Sequence, residues 1–195
     1  MKKVIKKSLL MVVLFSAVIS YAGDFSKTEK DNKENITNVS FRNLKQGSVL
    51  IIKDQNGVLL YKELIEKSGD YSKGFDLTTL PNGKYYFELD KVTEIKIIPF
   101  QVKSKVVVFN KEKEQLIVKP IVEKNGNMIV VSKLALNKNP MNVKIYYQDL
   151  DLVLEETLEN INSLNRRYDF STSEKGTYKM VFSIDGKSFT KEFKI

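Results

Sequence analysis

Phe75–Leu89 reads FDLTTLPNGKYYFEL, and it returns near the C-terminus as Tyr168–Phe182, YDFSTSEKGTYKMVF. Asp76 matches Asp169 (169 − 76 = 93), and the same offset carries Gly83 to Gly176, Tyr85 to Tyr178, Phe100 to Phe193 and Val102 to Ile195. A period of that length is too long for a solenoid repeat and suits two small domains in tandem. Within each copy, Phe-Asp-Leu or Tyr-Asp-Phe alternates apolar and polar residues, as a half-buried strand does. A turn follows, at Pro81-Asn82-Gly83 or Lys175-Gly176, where glycine can supply a positive φ. A second strand then starts at Gly-x-Tyr.

A tyrosine entering a strand after a corner turn resembles the tyrosine corner of immunoglobulin-like sandwiches, whose hydroxyl bonds back to the corner backbone. Tyr85 and Tyr178 are therefore the structural tyrosine-corner candidates, the alternative being ordinary amphipathic strand residues. Where immunoglobulin domains carry a cysteine two residues on, this chain has Phe87 and Met180, so packing replaces a disulfide.

The rest of the chain supports an all-β reading, with short strands at regular intervals and turn signals between them. Asp54-Gln55-Asn56-Gly57 suits a hairpin between Val49–Ile52 and Val58–Ile65. Lys124-Asn125-Gly126-Asn127 and Asp185-Gly186-Lys187 mark two more hairpins. Val143, Ile145 and Tyr147 alternate with Lys144, Tyr146 and Gln148, a strand with one buried face. Leu152–Leu158 also fits a helical period, so strand and helix compete there. Pro99 inside Glu94–Val102 implies an edge or a bulge. The expected fold is two tandem immunoglobulin-like antiparallel β-sandwiches after a signal peptide.

The chain is expected to divide into five segments. Residues 1–22 form a secretory signal peptide, with Lys2, Lys3, Lys6 and Lys7, an apolar core from Leu9 to Ile19, and Ser20-Tyr21-Ala22 ending in the small-x-small cleavage pattern. An uncleaved anchor is the rival, weakened by the shortness of the apolar run. Residues 23–35 are a polar, flexible lead-in. The first sandwich covers 36–104 and the second 114–195. The connector, 105–113, contains Val106–Phe109, which either extends the first sheet or packs in the joint.

Composition narrows the function. The chain has no Cys and no His, so it offers no Ser-His or Cys-His pair and no thiolate or imidazole metal site. Asp149 and Asp151 read as turn residues, and Asp76 and Asp169 as strand-end residues bonding the turn backbone. Asp54-x-Asn56-Gly57 starts like a calcium loop but lacks the downstream Glu. No catalytic residue, cofactor or metal is therefore expected, and the chain reads as a non-enzyme. Of the 32 basic residues four lie in the leader, and the remaining 28 against 24 acidic ones make a mild excess that does not argue for nucleic acid.

The hairpin of the first module is apolar on both faces. Val49–Ile52 and Val58–Tyr61 contain no polar position, so one face fills the core and the other forms a patch. Leu50, Ile52, Leu59 and Tyr61 are the candidate partner surface, set against burial on the second module. The expected partner is a protein or cell-surface component, with no membrane span after signal cleavage and a secreted or periplasmic location, possible attachment at the cell surface included.

The motifs Ile51–Tyr61 and Phe75–Tyr85, with Tyr168–Tyr178 and Gly186–Ile195 in the second copy, resemble small immunoglobulin-like modules of secreted Bacteroidetes proteins. These include the C-terminal sorting domains of type IX secretion. The resemblance implies a secreted non-enzymatic β-sandwich, and Lys187, Lys191 and Lys194 on the last strand fit a sorting domain. The Pro-Asn-Pro-like opening of that family is missing, with Asn139-Pro140 the nearest match.

Overall fold

The computed structural model describes residues 27–30, 35–134, 138–159 and 163–195. The expected signal peptide, 1–22, lies outside the described residues. Within them the chain is all-β and every strand pairing is antiparallel. The helical pieces among the described residues are two single 3-10 turns, Leu77–Thr79 and Lys111–Lys113.

The first half holds β1 (Lys27–Lys30), β2 (Thr37–Leu44), β3 (Val49–Asp54), β4 (Leu59–Leu64), β5 (Gly69–Phe75), β6 (Gly83–Asp90), β7 (Glu94–Lys103) and β8 (Val106–Phe109). The second holds β9 (Gln115–Val118), β10 (Ile121–Asn125), β11 (Met128–Leu134), β12 (Met141–Tyr147), β13 (Asp151–Leu158), β14 (Ser163–Asp169), β15 (Thr177–Ile184) and β16 (Lys187–Lys194). The repeat is visible in the strand order. One three-stranded sheet runs β1-β2-β5 and its counterpart β10-β11-β14, while β4-β3-β6-β7 is matched by β13-β12-β15-β16. The first of these larger sheets is extended by β8, and β9 also joins it along β7.

Two hydrophobic cores lie between these sheets. The first gathers Val39, Phe41, Leu50, Ile52, Phe87, Leu89, Ile98 and Phe100, and the second Ile129, Val131, Val143, Ile145, Met180 and Phe182. Each such side chain, fully buried, stabilises the fold by roughly 1.5–3 kcal/mol. Ile95 at the start of β7 and Ile117 on β9 pack into the second core, whereas Ile98 and Phe100 of β7 pack into the first. One strand thus serves both cores. The expected connector supplies β8, which pairs with β7 through Phe100–Phe109 and Lys103–Val106.

Two expectations change and one alternative is resolved. The lead-in expected to be unstructured contributes β1, which pairs with β2 from Lys27–Ser40 to Lys30–Thr37. Edge pairing uses main-chain N–H and C=O groups, so a polar strand leaves no apolar pattern to find. Leu152–Leu158 is strand, fixed by its ladder with β12. Pro99 sits on a strand flanked on both sides, pairing with Tyr86 of β6. Its carbonyl accepts from Asn110 N at 3.0 Å, so its nitrogen faces the break between β8, whose last residue Phe109 lies opposite Phe100, and β9, whose first residue Gln115 lies opposite Ile97. A residue without an N–H is tolerated where the neighbouring ladder is interrupted.

Candidate functional site

The repeated motif builds the same corner twice. Tyr85 Oη donates to the Pro81 carbonyl at 2.8 Å, and Tyr178 Oη donates to the Glu174 carbonyl at 2.8 Å. The aspartates before each corner act alike. Asp76 Oδ1 accepts from Thr78 N and Oγ1, and Asp169 Oδ1 from Ser171 N and Oγ, which holds the Asp169 carboxyl below its ordinary range. The repeated glycine is not there for a positive φ, since neither Gly83 nor Gly176 has one. At Gly176 an added Cβ would lie 2.6 Å from Tyr147 Cε2, so ring approach excludes a side chain.

The apolar hairpin needs a larger correction. Leu50 and Ile52, expected on the partner surface, are core residues with exposures of 0% and 4%. They pair with Leu89 and Phe87. Paired residues share a face, so the buried β6 decides which face of an all-apolar run turns inward. Leu59 and Tyr61 were expected to share a face, but a bulge between Ile52 and Lys53 separates them. Tyr61 pairs with Ile52 on the core side and Leu59 with Lys53 on the other. Tyr61 is half-buried against the first core, and Leu59 is 53% exposed. The exposed apolar strip is Val58, Leu59, Leu60 and Leu64. It follows β4, a free edge of its sheet. An edge strand with exposed apolar side chains is a template for association, because its outer backbone groups have no ladder partner among the described residues. Patterning could not find Leu60 and Leu64 in place of Leu50 and Ile52, since the bulge leaves no mark in the sequence.

Both halves tie β4 to β5, or β13 to β14, by an ion pair at equivalent positions. In the first, Glu63 Oε2 accepts from Lys73 Nζ at 2.9 Å, from Tyr71 Oη at 2.8 Å and from Tyr61 Oη. The Tyr61 and Lys73 hydrogen bonds hold the Glu63 carboxyl below its ordinary value of 4.5. Burial and the facing Glu63 push the Tyr71 phenol up. In the second half, Arg166 grips Glu156 through two bonds, Nε to Oε1 at 3.1 Å and Nη2 to Oε2 at 2.9 Å, and Tyr168 Oη donates to Oε1 at 2.7 Å. Burial raises the Tyr168 phenol, with Glu156 adding to it. All these groups are accounted for by one another, and they bridge the two edge strands through side chains alone, without giving either strand a second ladder partner.

The halves are latched together by charge. Glu88 of β6, 4% exposed, accepts from Lys187 Nζ of β16 at 2.6 Å and from Lys53 Nζ at 3.3 Å. Lys119 Nζ reaches Asp90 and the Lys91 carbonyl, and stands 5.9 Å from the Phe189 ring centroid. Lys187, one of the basic residues of the last strand, is therefore committed to this joint. Asp54, the start of the calcium-like run, spends Oδ1 on Asn56 N at 2.9 Å and Val58 N at 2.8 Å, the hydrogen bonds of its turn. Among the described residues no helix is long and apolar enough to cross a membrane.

No protein-family model and no curated protein matches the chain. Among solved structures, it is similar to a biofilm-associated protein described as a BSP domain, at 12% identity and a TM-score of 0.28, covering 82% of this chain and 27% of that one. It is also similar to the human OSCAR ligand-binding domain, at 9% identity and a TM-score of 0.25, covering 82% of this chain and 89% of that one. The chain thus spans about a quarter of the first of these, whose coverage is 27%.

Proposed function

We propose that the protein is a non-catalytic binding or scaffolding protein of two immunoglobulin-like sandwiches, 36–104 and 114–195, working outside the cytoplasm in the periplasm or beyond it. The observation that carries this reading is the strip Val58, Leu59, Leu60 and Leu64 along the free edge of β4. Its partner is a protein or cell-surface component that covers apolar side chains and can add a strand to the open edge. Location outside the cytoplasm rests on the leader-like residues 1–22. The absence of His and Cys supports a role without catalysis.

Leu59→Glu with Leu64→Glu tests the contact surface. Both side chains point to solvent, so the unfolding free energy is expected to change by less than about 0.5 kcal/mol. Binding of the purified protein to intact cells of its own source is expected to be lost. Undiminished binding by a folded variant removes the strip from the function.

A second reading makes 114–195 a sorting domain for export to the cell surface. Lys191 and Lys194 on the exposed edge strand β16 favour it, and the engagement of Lys187 by Glu88 weighs against it. Intact mass after fractionation separates the two. A periplasmic species from Gly23 to Ile195 supports the binding reading, whereas a surface or medium species lacking 114–195 makes that half an export signal.

A further inference from the structure

Where the two halves agree position by position, they share scaffold. Where they differ at equivalent positions around one opening, the difference points to use. Such an opening of about 700 Å³ lies in the second half between β13 and β14. Its floor is apolar and aromatic: Ile145, Leu154, Tyr168, Phe170 and Tyr178. At the place of Leu154 the first half has Tyr61, whose ring packs edge-on against Phe75 at 5.2 Å. The same repeat offset replaces Val58 by Asp151, Gly74 by Arg167, Leu80 by Ser173 and Pro81 by Glu174. Four positions that are apolar or glycine in one half are polar or charged in the other, and all four line the opening. The shared ion pair, Asp76 or Asp169, and the tyrosine corner are the same in both halves, so the fold does not require these changes.

We infer that this cleft is a binding site for an extended basic peptide carrying one apolar side chain. The volume suits a large side chain with its flanking backbone, within the range of about 300–1,000 Å³ typical of ligand pockets. The cleft is bounded by β13 and β14, each the terminal strand of its sheet, so each presents a row of backbone groups to an added chain. The charge of the peptide follows from which groups on the rim are already used. Glu156 is engaged by Arg166 and Tyr168, and Asp169 accepts from Ser171 yet keeps its charge. Asp151 and Glu174 form no ion pair among the described residues, and they outnumber the one uncommitted cation, Arg167. A basic chain is attracted and an acidic one repelled. This site lies on the opposite half from the β4 strip, and either can exist without the other.

The test is fluorescence anisotropy of the full chain with labelled heptapeptides. The first has a central Phe flanked by Lys, the second Glu in place of Lys, the third Gly in place of Phe. The lysine peptide is expected to bind saturably. The glutamate peptide should bind at least about fivefold more weakly, from two rim charges, and the glycine peptide about tenfold more weakly, from the lost apolar burial. Leu154→Tyr with Ser173→Leu installs large side chains of the kinds the first half carries there, and should abolish binding. Asp151→Lys with Glu174→Lys changes exposed or rim groups alone, keeps the unfolding midpoint, and should reverse the preference between the first two peptides. Equal binding of the lysine and glutamate peptides, or undiminished binding by the folded Leu154→Tyr, Ser173→Leu variant, overturns the proposal. Loss of peptide binding in Leu59→Glu with these cleft variants unaffected also overturns it, by moving the peptide to β4.

Discussion

The halves are the same machine at their corners and different at their open sides. Both place a tyrosine hydroxyl 2.8 Å from the carbonyl four residues back, and both join two edge strands by an acid–base pair. Both halves also leave apolar side chains along the outside of an edge strand, Leu59, Leu60 and Leu64 on β4 and Leu152 and Val153 on β13. The first half fills the space behind its acid–base pair with Tyr61, Tyr71 and Phe75. The second keeps a smaller Leu154 there, bears Asp151, Arg167 and Glu174 around the opening, and grips its glutamate with a guanidinium. A phenol has in effect changed places: Tyr61 and Phe75 in one half correspond to Leu154 and Tyr168 in the other. The corner therefore belongs to folding, and the space between β4 and β5, or β13 and β14, is where the copies are free to diverge.

The largest effect is expected at the joint that holds the copies together. Glu88→Ala leaves Lys53 and Lys187 facing each other in a largely buried place. Breaking a buried pair costs about 3 kcal/mol, less here because the lysines keep some contact with water. Urea unfolding should show the loss, and Lys187→Ala should recover little of it when added to Glu88→Ala. Additive effects of the two substitutions would mean that the latch is not one unit.

A smaller effect tests the shared part. Tyr85→Phe and Tyr178→Phe each remove one hydroxyl donor and should cost about 1 kcal/mol, equal within about 0.5 kcal/mol. Chemical denaturation of both variants gives the answer, and a clear inequality would show that the repeated corner does not carry equal weight.

The smallest concerns acid. The Glu63 carboxyl is held below its ordinary value of 4.5, chiefly by the Tyr61 hydroxyl and then by Lys73. Its contribution to stability is present above the ordinary value and is lost as pH falls through the lower folded value. Glu63→Gln should therefore flatten the fall of stability below pH 4.5 and lower stability at neutral pH. An unchanged acid profile, measured by thermal unfolding across that range, would separate the hydrogen-bond network from the stability of the first half.

Much of this architecture was legible in the chain because the repeat prints its landmarks twice. Asp76, Gly83 and Tyr85 recur at one spacing, and turn chemistry at Asn56-Gly57 and Gly126 locates hairpins that the ladders contain. The corner tyrosines could be named because hydroxyl and carbonyl are local partners, four residues apart. Leu50 and Ile52 could not be told from their outward neighbours, because a run apolar at every position has no parity. Nothing in the sequence separates Leu59 from Tyr61, because a bulge adds a residue without changing composition. β1 escaped notice since its pairing is made by main-chain groups.

Local chemistry, then, determined the strands, the turns, the duplicated corner and the poverty of catalytic groups. Tertiary structure alone decided which face of β3 became core, that β7 would serve two cores, and that Glu88 would meet Lys187 from the far end of the chain. It also decided that Leu154 would leave an opening where Tyr61 fills one. Each of these depends on which strands become neighbours, and register and neighbourhood are set by burial between segments far apart in the chain, where the periodicity of one strand carries no information.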